Sequence, residues 1–492
     1  MGKLKTLAGD TVVYGVSTIL GRMLNWLLMP FYIRTIDAAD YGMVVNIYSI
    51  IAVLLVLLTL GFETGYFRFV NDENRSKLFD TLSFSVFLFG LFVIACFACF
   101  SDFFCSIFEI GNSFDILVIA SVIVLIDAYN AIYFAQLRYS HHSVLYSVLR
   151  LIQVVITVCF TLFFLLFLRF RCLFGIDFSL IGSVQYILFA NLLGSLSSTI
   201  YFLPKYIFIS HTFDLQLLKK VLIYSIPLVG MGFFGVANQN IEKILILKLD
   251  NCADPYTQLA IYGANYKIGV LMAIFTQSFR LAFEPFFFKE NKTSDNKSLY
   301  GDAMKYFVYF GLIIYAGVLL FMPVVNIFLT NSYYEGNIVI PFILIGQLFF
   351  GVYYSLSMWY KVIDKTYFGI LMSFAGLTVN VICNFILIPR LGYLGAAIST
   401  LIGYFVMMFL SLFLGNIYYP IKYPLFKIFV VTCFAVILVQ SVKFLEENYF
   451  SDFWFIFSVL AFILLAFVIL KVENLSIRTI LVNVRSRNKN NK

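Results

Sequence analysis

The sequence predicts an all-α, polytopic membrane protein of fourteen transmembrane helices, built as two six-helix lobes plus two C-terminal helices. Composition is the first observation behind this. Of 492 residues, 62% are hydrophobic and 12% charged, with a mean hydropathy of +0.93. A soluble globular chain carries about 25% charged residues. The second is length: apolar runs of ~20 residues or more recur between polar breaks, as spanning helices require, whereas barrels use short alternating segments. The third is the placement of basic residues, which orients the spans.

The spans fall near 9–33, 42–67, 80–100, 114–137, 143–168, 180–203, 220–247, 258–284, 304–329, 337–360, 366–388, 392–415, 424–442 and 453–470. Their loops are short, so no soluble domain is available to house a separate enzyme. With the N-terminus in the cytoplasm, cytoplasmic ends and loops hold 23 of the 34 Lys and Arg residues and the outer side holds 6. The remaining 5 lie within spans: Arg22, Arg150, Lys243, Lys267 and Arg280. An inside excess of this kind is the positive-inside pattern, and it puts both termini in the cytoplasm. The net charge of +8 is then a consequence of topology, not a sign of nucleic-acid binding. The sequons at Asn291 and Asn296 face the cytoplasm in this orientation and are expected to be unused.

Other local signals carry little. Cys96 and Cys99 form C-x-x-C inside an apolar segment and read as buried small residues, not a redox pair or metal site. Three histidines, His141, His142 and His211, do not build an imidazole metal centre. The opening MGKLKT matches the short myristoylation pattern, but a spanning protein needs no lipid anchor. Residues 9–33 read as a full span without a convincing cleavage site. No cofactor is expected.

The chain repeats itself at an offset of 221 residues. Tyr41-Gly42 opens span two and Tyr262-Gly263 lies near the start of span eight. In the same register Glu63 matches Glu284, and Arg68 matches Lys289. Six spans separate the copies. The halves therefore enter the membrane in the same direction, as a parallel repeat with a cavity between the lobes. The expected divisions are 1–210 (spans one to six), 211–420 (spans seven to twelve) and 421–492 (spans thirteen and fourteen with a basic cytoplasmic tail).

Polar residues inside the spans form stripes at helical spacing. Span one carries Tyr14, Thr18, Arg22 and Asn25. Span four carries Asp127, Asn130 and Arg138. Span five carries Tyr146, Arg150, Gln153, Thr157 and Thr161. Span eight carries Tyr262, Tyr266, Gly269, Gln277, Arg280 and Glu284. In span seven the stretch VANQNIEKILIL, residues 236–247, places Gln239, Glu242 and Lys243 on one face. Such stripes need a wet or protein-lined surface. Interhelical hydrogen bonding accounts for part of them, especially Asn130, Thr157, Thr161, Asn380 and Asn384. Arg22 and Asp127 lie too deep for easy snorkelling.

The balance of signs points to an anion. The intramembrane acids are Glu63, Asp127, Glu242 and Glu284. If Glu242 pairs with Lys243, and Glu284 with Arg280, then Arg22, Arg150 and Lys267 remain. A diphosphate suits such a cavity, because Arg grips its oxygens in bidentate fashion. Arg22, Asn25, Arg150, Gln239, Lys243, Lys267 and Arg280 are thus the candidate substrate-binding residues. Asp127 and Glu63 are the candidates for carrying a coupling ion, H+ or Na+.

Two stretches resemble a known family. LAGDTVVYGVSTILGRMLNWLLMPFYIRTIDAADYGMVV is similar to the start of polysaccharide transporters of the multidrug/oligosaccharidyl-lipid/polysaccharide exporter superfamily. KTYFGILMSFAGLTVNVICNFILIPRLGYLGAAISTLIGY resembles their Asn-bearing eleventh span, the following Ile-Pro, and the Gly-x-x-Gly-Ala-Ala opening of the twelfth. The resemblance extends over most of residues 6–415. It implies a non-enzymatic flippase in the bacterial plasma (inner) membrane. Such a protein moves a polyprenyl-diphosphate-linked oligosaccharide outward by alternating access, alongside the polymerase and glycosyltransferases of its pathway. Lipid II flippases of the superfamily carry several basic residues in the first span, whereas only Arg22 lies deep here. That favours an O-antigen, capsule or exopolysaccharide unit as cargo. The competing readings are a multidrug exporter of the same fold, which calls for excess acidic cavity residues, and a membrane polymerase or glycosyltransferase, which calls for a large extramembrane loop or an acidic motif.

Overall fold

The structure, a computed structural model, describes residues 15, 17–71, 73–111, 113–168, 172–173, 176–177, 182–207, 212–293, 298–363, 365–448 and 454–473. Among them, thirteen helices are long and apolar enough to cross a membrane. They coincide with the expected spans two to fourteen to within a few residues at most ends. The expected first span begins outside the described residues. Its described part forms α1 (17–27) and α2 (Met29–Thr35), with Pro30 in the first turn of α2, where a missing N–H is tolerated. The protein is a helical, multi-pass membrane protein. Its only described strands are Cys172–Leu173 and Ile176–Asp177, paired antiparallel.

The helices group into two compact units. The first takes in the described residues up to Lys267, with Thr330–Val339 and Thr366–Met407. It contains α3 (Ala38–Leu58), α4 (Phe62–Phe69), α5 (Arg75–Cys99), α6 (Ser101–Ile107), α7 (Phe114–Tyr139), α8 (Ser143–Leu168) and α9 (Ser183–Ile207). It also contains α10 (Leu215–Asn238), α11 (Ile241–Leu249) and the start of α12 (Pro255–Thr293). This grouping is by packing and does not test divisions at 210 and 420, which rest on the repeat.

Small residues let these helices approach closely, as expected where lipid offers no hydrophobic drive for helix association. A Cβ on Gly194 of α9 would stand 2.0 Å from Thr157 Oγ1 of α8. One on Gly90 of α5 would stand 2.3 Å from Leu125 of α7. The repeated Tyr-Gly pairs meet at a crossing of α3 and α12. A Cβ on Gly42 would lie 1.9 Å from the Tyr256 carbonyl oxygen, and one on Gly263 would lie 2.7 Å from Val45. Tyr41 and Tyr262 are both buried beside the crossing. The side chains of Glu284 and Lys289, which complete the repeat register, lie outside the described residues.

Span seven departs from a continuous helix. It breaks between α10 and α11, at Gln239 and Asn240, in the amide-rich stretch. The amides satisfy the backbone there. Asn240 donates to the Val236 carbonyl at 2.9 Å, and Asn380 donates to the Asn238 carbonyl at 3.2 Å and its side-chain oxygen at 2.8 Å. Asn384 donates in turn to Asn380. Asn380 and Asn384 lie on α17 (Tyr367–Leu391), which α18 (Tyr393–Tyr418) follows. Irregular backbone at membrane depth is tolerated only when protein groups satisfy it, and these amides do so.

The second unit holds Ile268–Leu329, Ile340–Lys365 and the described residues from Met408 onward. It includes α13 (Ser298–Leu320), α15 (Ile340–Leu356), α16 (Met358–Val362), α19 (Leu425–Asn448) and α20 (Trp454–Val472); a four-residue turn, α14 (Met322–Val325), follows α13. Gly351 of α15 receives the ring of Phe307 of α13. Lys305 of α13 is buried in an ion cluster with Glu473, just past α20, with Asp302 at 3.0 Å. Lys427 of α19 approaches Glu473 at 3.5 Å, and the Tyr309 hydroxyl donates to it at 3.2 Å.

Candidate functional site

A cavity of about 490 Å³ lies within the first unit. Helix α1 contributes Ser17, Thr18, Gly21, Arg22 and Asn25. Their spacing is the stripe read from the sequence, so this face of span one is turned to the cavity. Helix α8 contributes Tyr146, Arg150, Gln153, Val154 and Thr157, which is the span-five stripe apart from Thr161. Thr161 is fully buried. Asp127 enters from α7, Asn191 from α9 and Lys267 from α12. Leu28, Tyr32 and Tyr48 complete the wall.

The cavity is polarised. Arg22, Arg150 and Lys267 are cationic, and among the described residues Asp127 is its one carboxylate. Arg150 is held face-on by the Phe134 ring, 4.0 Å from its centroid, and lies 5.9 Å from the Tyr146 ring. One guanidinium nitrogen reaches Gln153 Oε1 at 3.5 Å. The Gln153 amide donates to Asp127 and to Ser195, each at 3.3 Å. Gln153 thus stands between the base and the acid. Asp127 accepts from an amide, and Arg150 lines the cavity with a single 3.5 Å hydrogen bond to Gln153 among the described residues. A guanidinium beside an aromatic ring can still offer its fork of donors, which is how Arg recognises phosphate oxygens. The Trp26 indole donates to the Lys267 carbonyl at 2.8 Å and ties α1 to α12 beside the lysine. Among the described residues the Lys267 ammonium has no hydrogen bond or ion pair, and Asn191 donates to the Tyr48 hydroxyl at 3.1 Å.

Of the candidate residues, the cavity gathers Arg22, Asn25, Arg150, Lys267 and Asp127. Gln239, Lys243, Arg280 and Glu63 are not among its lining residues. Gln239 lies at the break in span seven, where its carbonyl accepts from Lys243 at 3.2 Å. Lys243 also donates to Asn240 Oδ1 at 2.9 Å and stands 4.3 Å from the Tyr266 ring centroid. The expected Glu242–Lys243 pair is not formed as a salt bridge; Glu242 accepts from the Tyr262 hydroxyl at 3.4 Å. Arg280 belongs to the second unit and stacks on Tyr354. Its expected partner, the Glu284 side chain, lies outside the described residues. Glu63 forms an ion pair with Arg138. Asn130 acts as interhelical glue, donating to the Ser195 carbonyl and accepting from Thr199.

Sequence reasoning missed Tyr32, Tyr48 and Asn191. The two tyrosines read equally as interfacial residues, and the signal for Asn191 was its i, i+4, i+8 spacing with Ser195 and Thr199 in span six. No group of three or more His, Cys, Asp or Glu side chains that could hold a metal ion occurs among the described residues.

Comparison with solved structures supports the fold. The lipid II flippase MurJ, in an inward closed conformation, superposes with a TM-score of 0.69 at 15% identity, covering 94% of this chain and 99% of the other. An inward-facing multidrug resistance MATE transporter of the MOP superfamily gives 0.59 at 14% identity, covering 83% and 97%. A MOP superfamily transporter from Pyrococcus furiosus, described as having a binding pocket of reverse polarity, gives 0.53 at 14% identity, covering 83% and 95%. No curated protein sequence matches significantly. Residues 7–289, more than half of the chain, match the polysaccharide biosynthesis protein family. The chain therefore belongs to that family and shares the fold of these solved structures.

Proposed function

We propose that this protein is a flippase for a polyprenyl-diphosphate-linked oligosaccharide in a bacterial plasma membrane. The observation that carries this reading is the cavity. Among the described residues, three cationic side chains on three helices surround a space shared with a single carboxylate. A diphosphate presents several charged oxygens at fixed spacing, and two guanidinium groups and an ammonium match it. The hydroxyl and amide groups of Thr18, Asn25, Tyr48 and Asn191 offer donors and acceptors to a sugar. The cargo is an O-antigen, capsule or exopolysaccharide unit, and the cavity opens alternately to the two sides. A cationic drug fits this charge balance poorly, which argues against the multidrug reading.

Asp127 is the better candidate for ion coupling. It faces the cavity and contacts Gln153, while Glu63 is engaged with Arg138. Reconstitution tests both points. Proteoliposomes loaded with a fluorescent polyprenyl-diphosphate disaccharide should show protein-dependent translocation that falls at least tenfold in Arg150→Gln, as expected for losing a charge-assisted contact of about 1.5–3 kcal/mol. Asp127→Asn should retain lipid binding but lose its response to a proton or sodium gradient. Translocation unaffected by Arg150→Gln would reject the diphosphate site. An unchanged gradient response would reject the coupling role of Asp127.

A further inference from the structure

We infer that Arg138, held by Glu63, is a second anion station through which the substrate's diphosphate is loaded into the cavity. The inference rests on the proposed function. Arg138 is in the last turn of α7, at the membrane end that the charge distribution assigns to the cytoplasm. Its guanidinium pairs with Glu63 of α4 and lies 5.2 Å from the Phe67 ring centroid. It also lies 5.9 Å from the centroid of Tyr146, a cavity-lining ring.

Tyr146 is equally 5.9 Å from Arg150. Phe134, one turn before Arg138 on α7, packs edge-on against Tyr146 and under Arg150. The two helices therefore interleave as a ladder: Arg138, Tyr146, Phe134, Arg150. Arg150 lies about 10 Å deeper than the start of α8 by helical rise. The rungs lead from the end of the bundle to the cavity.

Arg138 is poorly placed to be only a structural clip. Its Nε is buried and makes no hydrogen bond, and Glu63 engages one terminal nitrogen. A half-exposed pair of this kind contributes little stability. A diphosphate, with more oxygens than a carboxylate, can displace Glu63 and engage the fork. Glu63 then acts as a competing anion that keeps the station from holding its cargo too tightly. The aromatic rungs carry no charge of their own and do not trap the diphosphate between stations.

The two readings differ in sign. If the pair is only a clip between α4 and α7, Glu63→Gln and Arg138→Gln remove the same contact and act alike. If Arg138 loads the diphosphate, the variants act in opposite directions. The probe is farnesyl diphosphate, and the readout is its association rate with the full chain in neutral-lipid nanodiscs at low ionic strength. Glu63→Gln should raise the rate about threefold and Arg138→Gln lower it about tenfold, with both differences shrinking at high salt. Glu63→Gln alone decides the matter if Arg138→Gln does not fold, because it preserves size and shape. An unchanged or slower rate in Glu63→Gln overturns the loading station. If Arg150→Gln still loses the probe in that case, the cavity reading survives. If the wild-type protein does not bind the probe, the cavity reading falls and this inference falls with it.

Discussion

A guanidinium inside a membrane protein needs partners for both its face and its edge. Arg150 has the Phe134 ring 4.0 Å and the Tyr146 ring 5.9 Å from its guanidinium carbon, and Gln153 at 3.5 Å from one nitrogen. Arg150→Lys keeps the charge but loses the flat stacking surface and the fork. It should bind polyprenyl diphosphate more weakly than wild type yet better than Arg150→Gln, a ranking that titration calorimetry can check. A second residue-scale prediction lies outside the membrane. Asp214 caps α10, accepting from the backbone N–H groups of Gln216 and Leu217, and pairs with Lys77 at 2.8 Å. The Lys77 ammonium first, then these amides, hold its carboxyl below the usual range. A depressed carboxyl stabilises the fold above its unfolded pKa of about 3.9, and that contribution is lost as pH falls through the folded value. Asp214→Asn should therefore melt below wild type at neutral pH, with the gap closing in acid.

Among elements, the crossing of α3 and α12 is the most exacting contact. A methyl on Gly42 would meet a backbone oxygen at 1.9 Å, whereas one on Gly263 would meet only the Val45 side chain. Gly263→Ala should cost about 1–3 kcal/mol by overpacking. Gly42→Ala should be more damaging, because a helix backbone cannot step aside as a side chain can. Thermal unfolding of the two variants in the same detergent checks the order. This crossing was partly legible in the sequence, where the Tyr-Gly pairs marked the repeat. That the repeated glycines meet each other's helices was not, because a repeat register says nothing about which copies touch. The span-seven break was misread for a related reason. Helical spacing placed Gln239 and Lys243 on one face only on the assumption of an unbroken helix. Asn240 and Asn380 are spent on satisfying the break, and the Lys243 ammonium on the Gln239 carbonyl.

At the scale of the whole molecule, hydropathy and length located the spans because every spanning helix must satisfy its backbone internally. The polar stripes of spans one and five located the cavity wall, since a charge at membrane depth needs somewhere to face. Tyr48 had no such signal, and Asn191 had only its helical spacing with the small hydroxyls Ser195 and Thr199. The second unit offers a separate prediction. Glu473 and Lys305 form a nearly dry pair that joins the C-terminal helices to α13. Glu473→Ala leaves the buried Lys305 ammonium with only the more exposed Asp302, so it should cost about 1–3 kcal/mol, while Asp302→Ala, which keeps the dry contact, should cost less. Denaturation of the two variants measures the difference.

On the flippase reading the cavity of the first unit holds a lipid diphosphate. Native mass spectrometry of the protein purified from its own host, beside Arg22→Ala, tests it most directly. The wild type should carry a bound polyprenyl-diphosphate sugar, lost or weakened in the variant, whose mass also identifies the cargo. Ordinary phospholipid bound equally to both proteins would contradict it.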